Sequence, residues 1–152
     1  MLELEKLQKS YRKNEVLRDV SITVKDGESV CFVGANGAGK STLLKIIVGA
    51  LKPDAILWNG KAVDGTFLSE HVGYVPQENP LFEDLTVKDN LELWYANDKA
   101  SLQKDLEDGW LFYFGMHKIY KKPVKKLSGG MKKRLSICCA LAGDPDVLVM
   151  DE

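Results

Sequence analysis

The chain has 152 residues, of which 45% are hydrophobic and 28% charged, and its formal net charge is −1. That length fits one ordinary domain, and the composition excludes a disordered tail and argues against a dedicated nucleic-acid binder. No apolar run approaches the length of a membrane span and the N-terminus lacks a signal-peptide core, so we expect any work at a membrane to depend on a partner.

The first half of the chain predicts a mixed β region, followed by a strand, a glycine-rich loop and a helix. Alternating apolar residues are typical of half-buried strands, and a continuous apolar run is typical of a strand buried on both faces. The predicted strands are residues 2–7, 16–24, 56–58, 61–63 and 72–75, with the doubly buried one at 29–33. Residues 41–50 predict a helix that is apolar nearly all round and is ended by Gly49 and Pro53.

The second half of the chain is predicted to be mainly helical up to a last strand. Residues 86–89 resemble a capping box, which opens a helix. A further helix is predicted to begin at Ser128 and is ended by Gly143 and Pro145. Residues 147–150 predict a final buried strand.

Basic and aromatic residues are unevenly spread in this second half. Residues 118–134 carry eight basic side chains and no acidic one. Nucleic-acid binding is one interpretation, but the slightly negative overall charge favours a solvated face near a phosphate-binding interface. Four aromatic residues are interpreted as packing of the helical region or as contact with a partner: Trp94, Trp110, Phe112 and Phe114.

The three cysteines are Cys31, Cys138 and Cys139. Their odd number and their apolar neighbours favour reduced thiols inside a cytosolic protein over a disulfide framework. Two adjacent cysteines also make a poor metal site, so the sequence predicts no structural role for these thiols beyond packing.

Residues 34–42 read GANGAGKST and match the phosphate-loop pattern G-x-x-x-x-G-K-[ST]. Glycines let backbone N–H groups turn inward around an anion, and the following helix adds its positive N-terminal dipole. Lys40 can reach the β- and γ-phosphates of a nucleotide, and the Ser41 hydroxyl can ligate Mg²⁺. A glycine-rich turn with an incidental lysine is the alternative. The predicted nucleotide-binding residues of this loop are Gly34, Asn36, Gly37, Ala38, Gly39, Lys40, Ser41 and Thr42.

The sequence ends in VLVMDE, four apolar residues followed by two carboxylates. A nucleotide bound with Mg²⁺ needs a carboxylate near the metal, and Asp151 at the end of a strand suits that role. Side-chain alternation points Glu152 elsewhere, where it could polarise an attacking water. Many strands end in acidic residues, so this interpretation depends on the phosphate loop.

Between these elements lies LSGGMKKRL, residues 127–135, and at this point the sequence resembles the ATP-binding subunits of ABC transporters. Four features carry the resemblance in order: GANGAGKST, VGYVPQE at residues 72–78, LSGGM and VLVMDE. The flanking stretches look most like bacterial exporter-type subunits, whose membrane part is a separate protein. The implied fold is α/β. It comprises a P-loop NTPase core with an N-terminal antiparallel β subdomain, residues 1–84 and 144–152, and an α-helical insertion, residues 85–143, that carries the signature.

The resemblance assigns a role to the signature residues Ser128, Gly129 and Gly130. They open a helix whose N-terminus would grip ATP bound to the other subunit of a dimer. Without the family, Ser128 is simply a helix N-cap that follows a loop.

Two further residues take implied roles at the nucleotide. Gln77 would place its side-chain carbonyl near Mg²⁺ and act in catalysis together with Lys40 and Glu152; a polar residue after a strand is the alternative. Tyr11 matches the aromatic residue that stacks on adenine, and an exposed tyrosine in a turn is the alternative. The implied metal ligands are therefore Ser41, Gln77 and Asp151.

The implied function is an ATPase subunit that uses ATP and Mg²⁺ to power transport by a separate integral-membrane permease. Such a subunit is cytoplasmic, is peripheral on the inner face of the cell membrane through its permease, and forms a head-to-tail homodimer or heterodimer. No nucleic-acid partner is expected. Two alternatives stay open: a soluble ABC-type ATPase in translation or DNA repair, and a fragment that binds nucleotide without turnover.

The largest departure from the family is the end of the sequence. The family continues past the Asp-Glu pair into a loop that contacts the partner subunit and to a switch histidine, and neither His71 nor His117 takes that position. The C-terminal part of the core, with one central strand, is therefore expected to be missing. We expect residues 1–152 alone to be marginally stable and to show no sustained ATP turnover.

Overall fold

The computed structural model describes residues 1–12, 14–52, 56–96 and 98–151. The chain forms two compact units, residues 1–70 and residues 71–152. The predicted helical insertion at 85–143 lies within the second unit, and its own boundaries stay a prediction. Pro53, predicted to end a helix, and Glu152 lie outside the described residues.

An antiparallel sheet forms the first unit, as predicted. Its strands are β1 (Leu2–Tyr11), β2 (Asn14–Val24), β3 (Ile56–Trp58) and β4 (Lys61–Ala62), in the order β2-β1-β3-β4. The Asn59-Gly60 turn joins β3 to β4 with positive φ at both residues, 50° and 75°. Positive φ at both central residues is the geometry of the turn that suits a two-residue hairpin.

A β-bulge near the start of β1 sets which of its side chains are buried. Leu4 pairs with Ile22 and Leu7 pairs with Val20, so β1 carries one extra residue between the two pairs. Lys6, with φ of 46°, lies in this interval. The extra residue shifts the alternation by one, so that Leu4 and Leu7 are both buried despite their odd spacing. The regular alternation predicted for residues 2–7 misses this shift.

Two helices belong to the first unit. The predicted helix that follows the glycine-rich loop is α1 (Lys40–Ile47), which buries Leu43, Leu44, Ile46 and Ile47 and exposes Lys45. The second helix, α2 (Gly65–His71), was not predicted. Asp64 accepts a hydrogen bond from the backbone N–H of Phe67 at 2.9 Å and so caps the first turn of α2.

The doubly buried strand predicted at residues 29–33 is wrong for this structure. These residues form no strand, and the side chains of Val30 and Val33 are 46% and 92% exposed. Strand formation requires a neighbouring backbone to accept and donate the ladder hydrogen bonds, and no strand of the described residues pairs with this segment.

The second unit combines a two-stranded parallel sheet with helices. The strands are β5 (Val72–Val75) and β6 (Val147–Met150), both with the predicted bounds. The expectation that residues 147–150 are buried is wrong, because Leu148 and Met150 are 36% and 56% exposed and only Val149 is buried. The helices are α3 (Val87–Trp94), α4 (Lys99–Asp108), α5 (Trp110–Tyr113) and α6 (Gly129–Leu141), with short 3₁₀ turns at Met116–Lys118 and Val124–Lys126. The predicted capping box is confirmed, because the Thr86 hydroxyl accepts from the Asp89 N–H and the Asp89 carboxylate accepts from the Thr86 N–H.

One apolar cluster holds the helices of the second unit together. Its members come from every helix of this unit and from the 3₁₀ turns: Val87, Leu91, Tyr95, Leu102, Leu111, Met116, Ile119, Val124, Leu127, Leu135, Cys138 and Cys139. The buried Tyr95 hydroxyl donates a hydrogen bond to the Asp105 carboxylate, so the one polar atom of that ring has a partner. Within the described parts of the chain, no helix is long and apolar enough to cross a membrane.

The three thiols are free, and they differ in exposure. Cys31 is exposed, contrary to the expected interior position, whereas Cys138 and Cys139 are buried. Burial raises the pKa of each of the two buried thiols to about 12.

We therefore expect a thiol reagent at pH 8 to label one cysteine in the native protein and all three in denaturant. Labelling of Cys138 or Cys139 at the rate of Cys31 would contradict the packing of α6.

Candidate functional site

The phosphate loop of the first unit is closed around the ammonium group of Lys40. The Lys40 Nζ donates hydrogen bonds to the carbonyl oxygens of Gly34 at 2.7 Å and Ala35 at 3.1 Å. The N–H of Ala38 donates to the same Ala35 carbonyl at 3.1 Å. One cation is therefore held in the hollow of the loop, where it can exchange backbone carbonyls for the oxygens of an anion.

Glycine is required where the loop enters α1. Gly39 has a φ of 94°, and a Cβ atom built on it would lie 2.9 Å from the Val16 carbonyl oxygen and 3.0 Å from Leu17 Cδ2. Gly39 also occupies the N-cap of α1, so no side-chain oxygen within the described chain caps the helix. The positive end of the helix therefore faces the loop without a competing side-chain acceptor.

The other predicted contacts of the first unit lie in the same loop or on the hairpin. Asn36 is exposed at the tip of the loop, and Ser41 and Thr42 lie in the first turn of α1. Tyr11 ends β1 opposite Asn14 and is 46% exposed, so its ring is accessible to a planar ligand. Its predicted contact with adenine stays a prediction.

Gln77 and Asp151 lie at one edge of the parallel sheet in the second unit. Val75 is opposite Met150 in the ladder, and the Asp151 N–H donates to the Val75 carbonyl at 2.9 Å. Gln77 follows the same end of β5 by two residues. The register of the two strands therefore brings the predicted amide and carboxylate to the same carboxyl edge, which is where open α/β sheets bind ligands.

Tyr74 is a residue of this edge that the sequence did not single out. Its hydroxyl donates to the Asp151 carboxylate at 3.5 Å, a long hydrogen bond. Burial and then the nearby Asp151 charge raise the pKa of Tyr74, so the hydroxyl keeps its proton and stays a donor. Only the strand register places this tyrosine beside Asp151, and no motif marks it.

The signature residues lie at the start of α6. The Ser128 hydroxyl accepts from the Met131 N–H at 3.3 Å and is the N-cap. Gly129 and Gly130 are exposed, and a Cβ atom on either would meet no other atom within 4 Å. Packing against the described residues therefore requires neither glycine, and the space beside both is open to a ligand.

The side chains available as ligands indicate which kind of metal site is possible here. Among the described residues, no group of three or more His, Cys, Asp and Glu side chains could hold a metal ion. Mg²⁺ differs from structural metals because one or two carboxylates with phosphate oxygens and waters complete its shell. Asp151 supplies one such carboxylate at the sheet edge, so the residues present fit a nucleotide-bound Mg²⁺ and do not fit a protein-only metal centre.

A comparison with protein families places most of the chain in one family. The family profile described as ABC transporter matches residues 17–152. The chain belongs to the ABC transporter family. The matched range contains the phosphate loop, residues 72–78, the signature and the acidic strand end. Members of this family bind ATP.

Two curated relatives show how far the likeness extends. The chain is 36% identical over 159 residues to the Nod factor export ATP-binding protein I of Ralstonia nicotianae, covering all of this chain and 49% of that protein. It is 38% identical over 141 residues to the taurine import ATP-binding protein TauB of Pelagibacter ubique, covering 90% of this chain and 52% of that protein. The chain thus spans about half the length of these relatives, one named for export and one for import.

A solved structure supports the predicted fold class. The dimeric, post-hydrolysis ATP-binding cassette MJ0796, bound to ADP and Pi, matches all of this ABC chain and 74% of its own length, with a TM-score of 0.80 and 26% identity. The α/β P-loop NTPase fold is confirmed. The predicted exporter type stays a prediction.

Proposed function

We propose that this ABC cassette is the ATP-binding and ATP-hydrolysing part of a subunit that powers transport by a separate integral-membrane permease. The observation that carries the proposal is the Lys40 ammonium, held inside the 34–42 loop at the N-terminus of α1. This arrangement offers a cation and a helix dipole to a triphosphate. The subunit would lie at the cytoplasmic face of the membrane through its permease.

Each predicted site residue has a proposed role in binding or hydrolysing ATP. Lys40 binds the β- and γ-phosphates, the loop residues 34–42 enclose them, and Tyr11 stacks on adenine. Ser41, Gln77 and Asp151 are the proposed ligands of Mg²⁺, which when bound neutralises charge that develops on the phosphates. Glu152 is the proposed base for the attacking water. The Tyr74 hydroxyl, by donating to Asp151, orients that carboxylate.

The proposed subunit works as a head-to-tail dimer that is closed by ATP. Support comes from the open backbone of Gly129 and Gly130 at the N-terminus of α6. Such a helix start binds anions, and a missing side chain lets the partner's triphosphate approach closely. The dimeric form of the MJ0796 cassette gives a precedent within the family.

Replacing Gly129 by glutamate is therefore expected to abolish the ATP-dependent dimer and hydrolysis while ATP binding to the monomer stays within about twofold. A carboxylate at this helix start repels the triphosphate and fills the approach path. Gly143→Glu is the matched control, because Gly143 follows the other end of α6 and its Cβ position is also open. Size-exclusion chromatography with Mg-ATP measures the dimer. A Gly129→Glu protein that still dimerises with ATP would remove the signature assignment.

The transport function is tested by the partner with which the natural subunit co-purifies and by phosphate release. An integral-membrane partner together with ATP-dependent phosphate release would support the proposal. Co-purification with ribosomes or DNA would contradict it in favour of a soluble ABC ATPase. Nucleotide binding without phosphate release, in the presence of the permease, would contradict the hydrolysis step.

A further inference from the structure

Three exposed aromatic side chains are concentrated on one short helix of the second unit. Trp110, Phe112 and Tyr113 of α5 are 48%, 45% and 75% exposed, whereas Leu111 between them is fully buried. Trp110 and Phe112 were interpreted as packing or as a partner contact, and their exposure excludes complete burial within the described chain. Tyr113 was not part of that interpretation. Phe112 stacks on His117 with ring centroids 4.7 Å apart, so its ring is held at the surface rather than free to fold inward.

Lysines without an acidic partner follow these aromatic residues. Lys118, Lys121 and Lys122 are exposed, and no ion pair within the described ranges involves them. Other lysines of the same basic run are neutralised, because Lys125 pairs with Asp84 at 3.0 Å and Lys132 pairs with Glu83 at 2.5 Å. Ion pairs therefore tie Lys125 and Lys132 to the 83–84 loop, whereas the three lysines beside α5 have no such pair within the described residues.

The segment that carries Lys118, Lys121 and Lys122 is held in place by buried side chains and backbone hydrogen bonds. Met116, Ile119 and Val124 are buried in the apolar cluster and anchor the segment at short intervals. The carbonyl oxygens of Tyr120 and Lys122 accept hydrogen bonds from the N–H groups of Lys88 and Val87, both at 2.9 Å. These anchors keep the intervening lysines outward.

The segment that carries these lysines has no acidic residue of its own. The sequence from Gly109 to Leu135 contains no Asp or Glu. Acidic side chains do border this segment. Glu107 and Asp108 are exposed just before α5. Burial and then the charges of Glu92 and Asp89 raise the pKa of Tyr120, and Glu92 also lies 3.7 Å from the Lys88 ammonium.

We infer that Trp110, Phe112, Tyr113, Lys118, Lys121 and Lys122 form a surface that contacts anionic phospholipid directly. Amphipathic aromatic rings are enriched at the level of lipid headgroups, and unpaired lysines are attracted to an anionic leaflet. A lipid surface presents negative charge continuously and so matches a segment, residues 109–135, that contains cations and aromatic rings and no acidic residue. The inference goes beyond the proposed function, because it assigns a membrane contact that requires neither the permease nor ATP.

The test measures partition of the purified protein into vesicles of phosphatidylglycerol and phosphatidylcholine, compared with phosphatidylcholine alone. We expect binding to the anionic vesicles that weakens as salt rises. The Lys118/Lys121/Lys122→Gln variant should bind about a hundredfold more weakly, at roughly tenfold or less per lysine. Lys25/Lys61/Lys104→Gln changes the charge equally at other exposed lysines and is expected to leave binding within about twofold.

The depth to which the surface enters the bilayer is measured with brominated phosphatidylglycerol, which quenches the fluorescence of tryptophans that enter the headgroup region. A protein that keeps only Trp110 should be quenched, and a protein that keeps only Trp58 should not, since Trp58 packs edge-on against Phe67 in the first unit. Equal loss of binding in both lysine variants, or equal quenching of both tryptophans, would overturn the inference. The inference would also be overturned if the protein did not bind vesicles and residues 110–122 were protected from hydrogen exchange only in the presence of the permease. The surface would then bind protein rather than lipid.

Discussion

Replacement of Lys40 by alanine is expected to weaken Mg-ATP binding about tenfold to hundredfold. The ammonium is the cation that the loop holds at 2.7 Å from the Gly34 carbonyl and 3.1 Å from the Ala35 carbonyl. ATP must take over that cation, and the substitution removes both the charge-assisted contact and the group around which the loop is folded.

Titration of a fluorescent ATP analogue measures the loss. Lys45→Ala is the matched control, because Lys45 is an exposed lysine of the same helix that faces away from the buried side. Adenosine affinity should be equal in wild type and Lys40→Ala, since adenosine has no phosphate to contact. Equal ATP affinity in wild type and Lys40→Ala would remove the phosphate-loop assignment.

Replacement of Gly73 by alanine is expected to lower the free energy of unfolding by about 2–3 kcal/mol, which is at the upper end of what overpacking usually costs. A Cβ atom on Gly73 would lie 2.4 Å from the Ala140 carbonyl oxygen and 2.9 Å from Pro145 Cγ. The first of these is backbone of α6 and cannot rotate away. The helix must therefore shift off β5.

Urea denaturation gives the free energy of unfolding of this variant. Gly143→Ala is expected to change it by no more than about 0.5 kcal/mol, because the Cβ of that residue enters open space. A Gly73→Ala protein as stable as Gly143→Ala would mean that α6 and β5 are not in the close contact described here.

Local chemistry explains which elements the sequence predicted well. The phosphate loop and the start of α1 follow from glycines and a lysine at fixed spacing, and the α3 capping box follows from Thr86 and Asp89, whose contacts lie within one turn. Asp64 gave the same kind of signal for α2, since its carboxylate caps the Phe67 N–H, but a helix of 7 residues has too short an apolar period to stand out.

Non-local contacts account for the elements that the sequence could not give. The apolar run 29–33 has the composition of a buried strand, yet a strand exists only beside a partner, and none pairs with it among the described residues. The bulge between Leu4 and Leu7 depends on how β2 pairs with β1. Tyr74 meets Asp151 only through the register of β5 against β6.

Surface exposure was the least predictable property. Trp110 and Leu111 are adjacent apolar residues, yet Trp110 is 48% exposed and Leu111 is fully buried. Their difference arises because α5 is a single turn that can direct only one side toward the cluster of α3, α4 and α6. The pairing of Lys125 and Lys132, and not of Lys118, likewise depends on where the 83–84 loop lies.

Amide hydrogen exchange with and without saturating Mg-ATP tests the central claim most directly. If the 34–42 loop binds the triphosphate, the amides of the loop and of the first turn of α1 should exchange more slowly with ATP, because their N–H groups acquire phosphate acceptors. Adenosine should give no such protection. Unchanged exchange at residues 34–42 under saturating ATP, with protection elsewhere in the chain, would contradict the account.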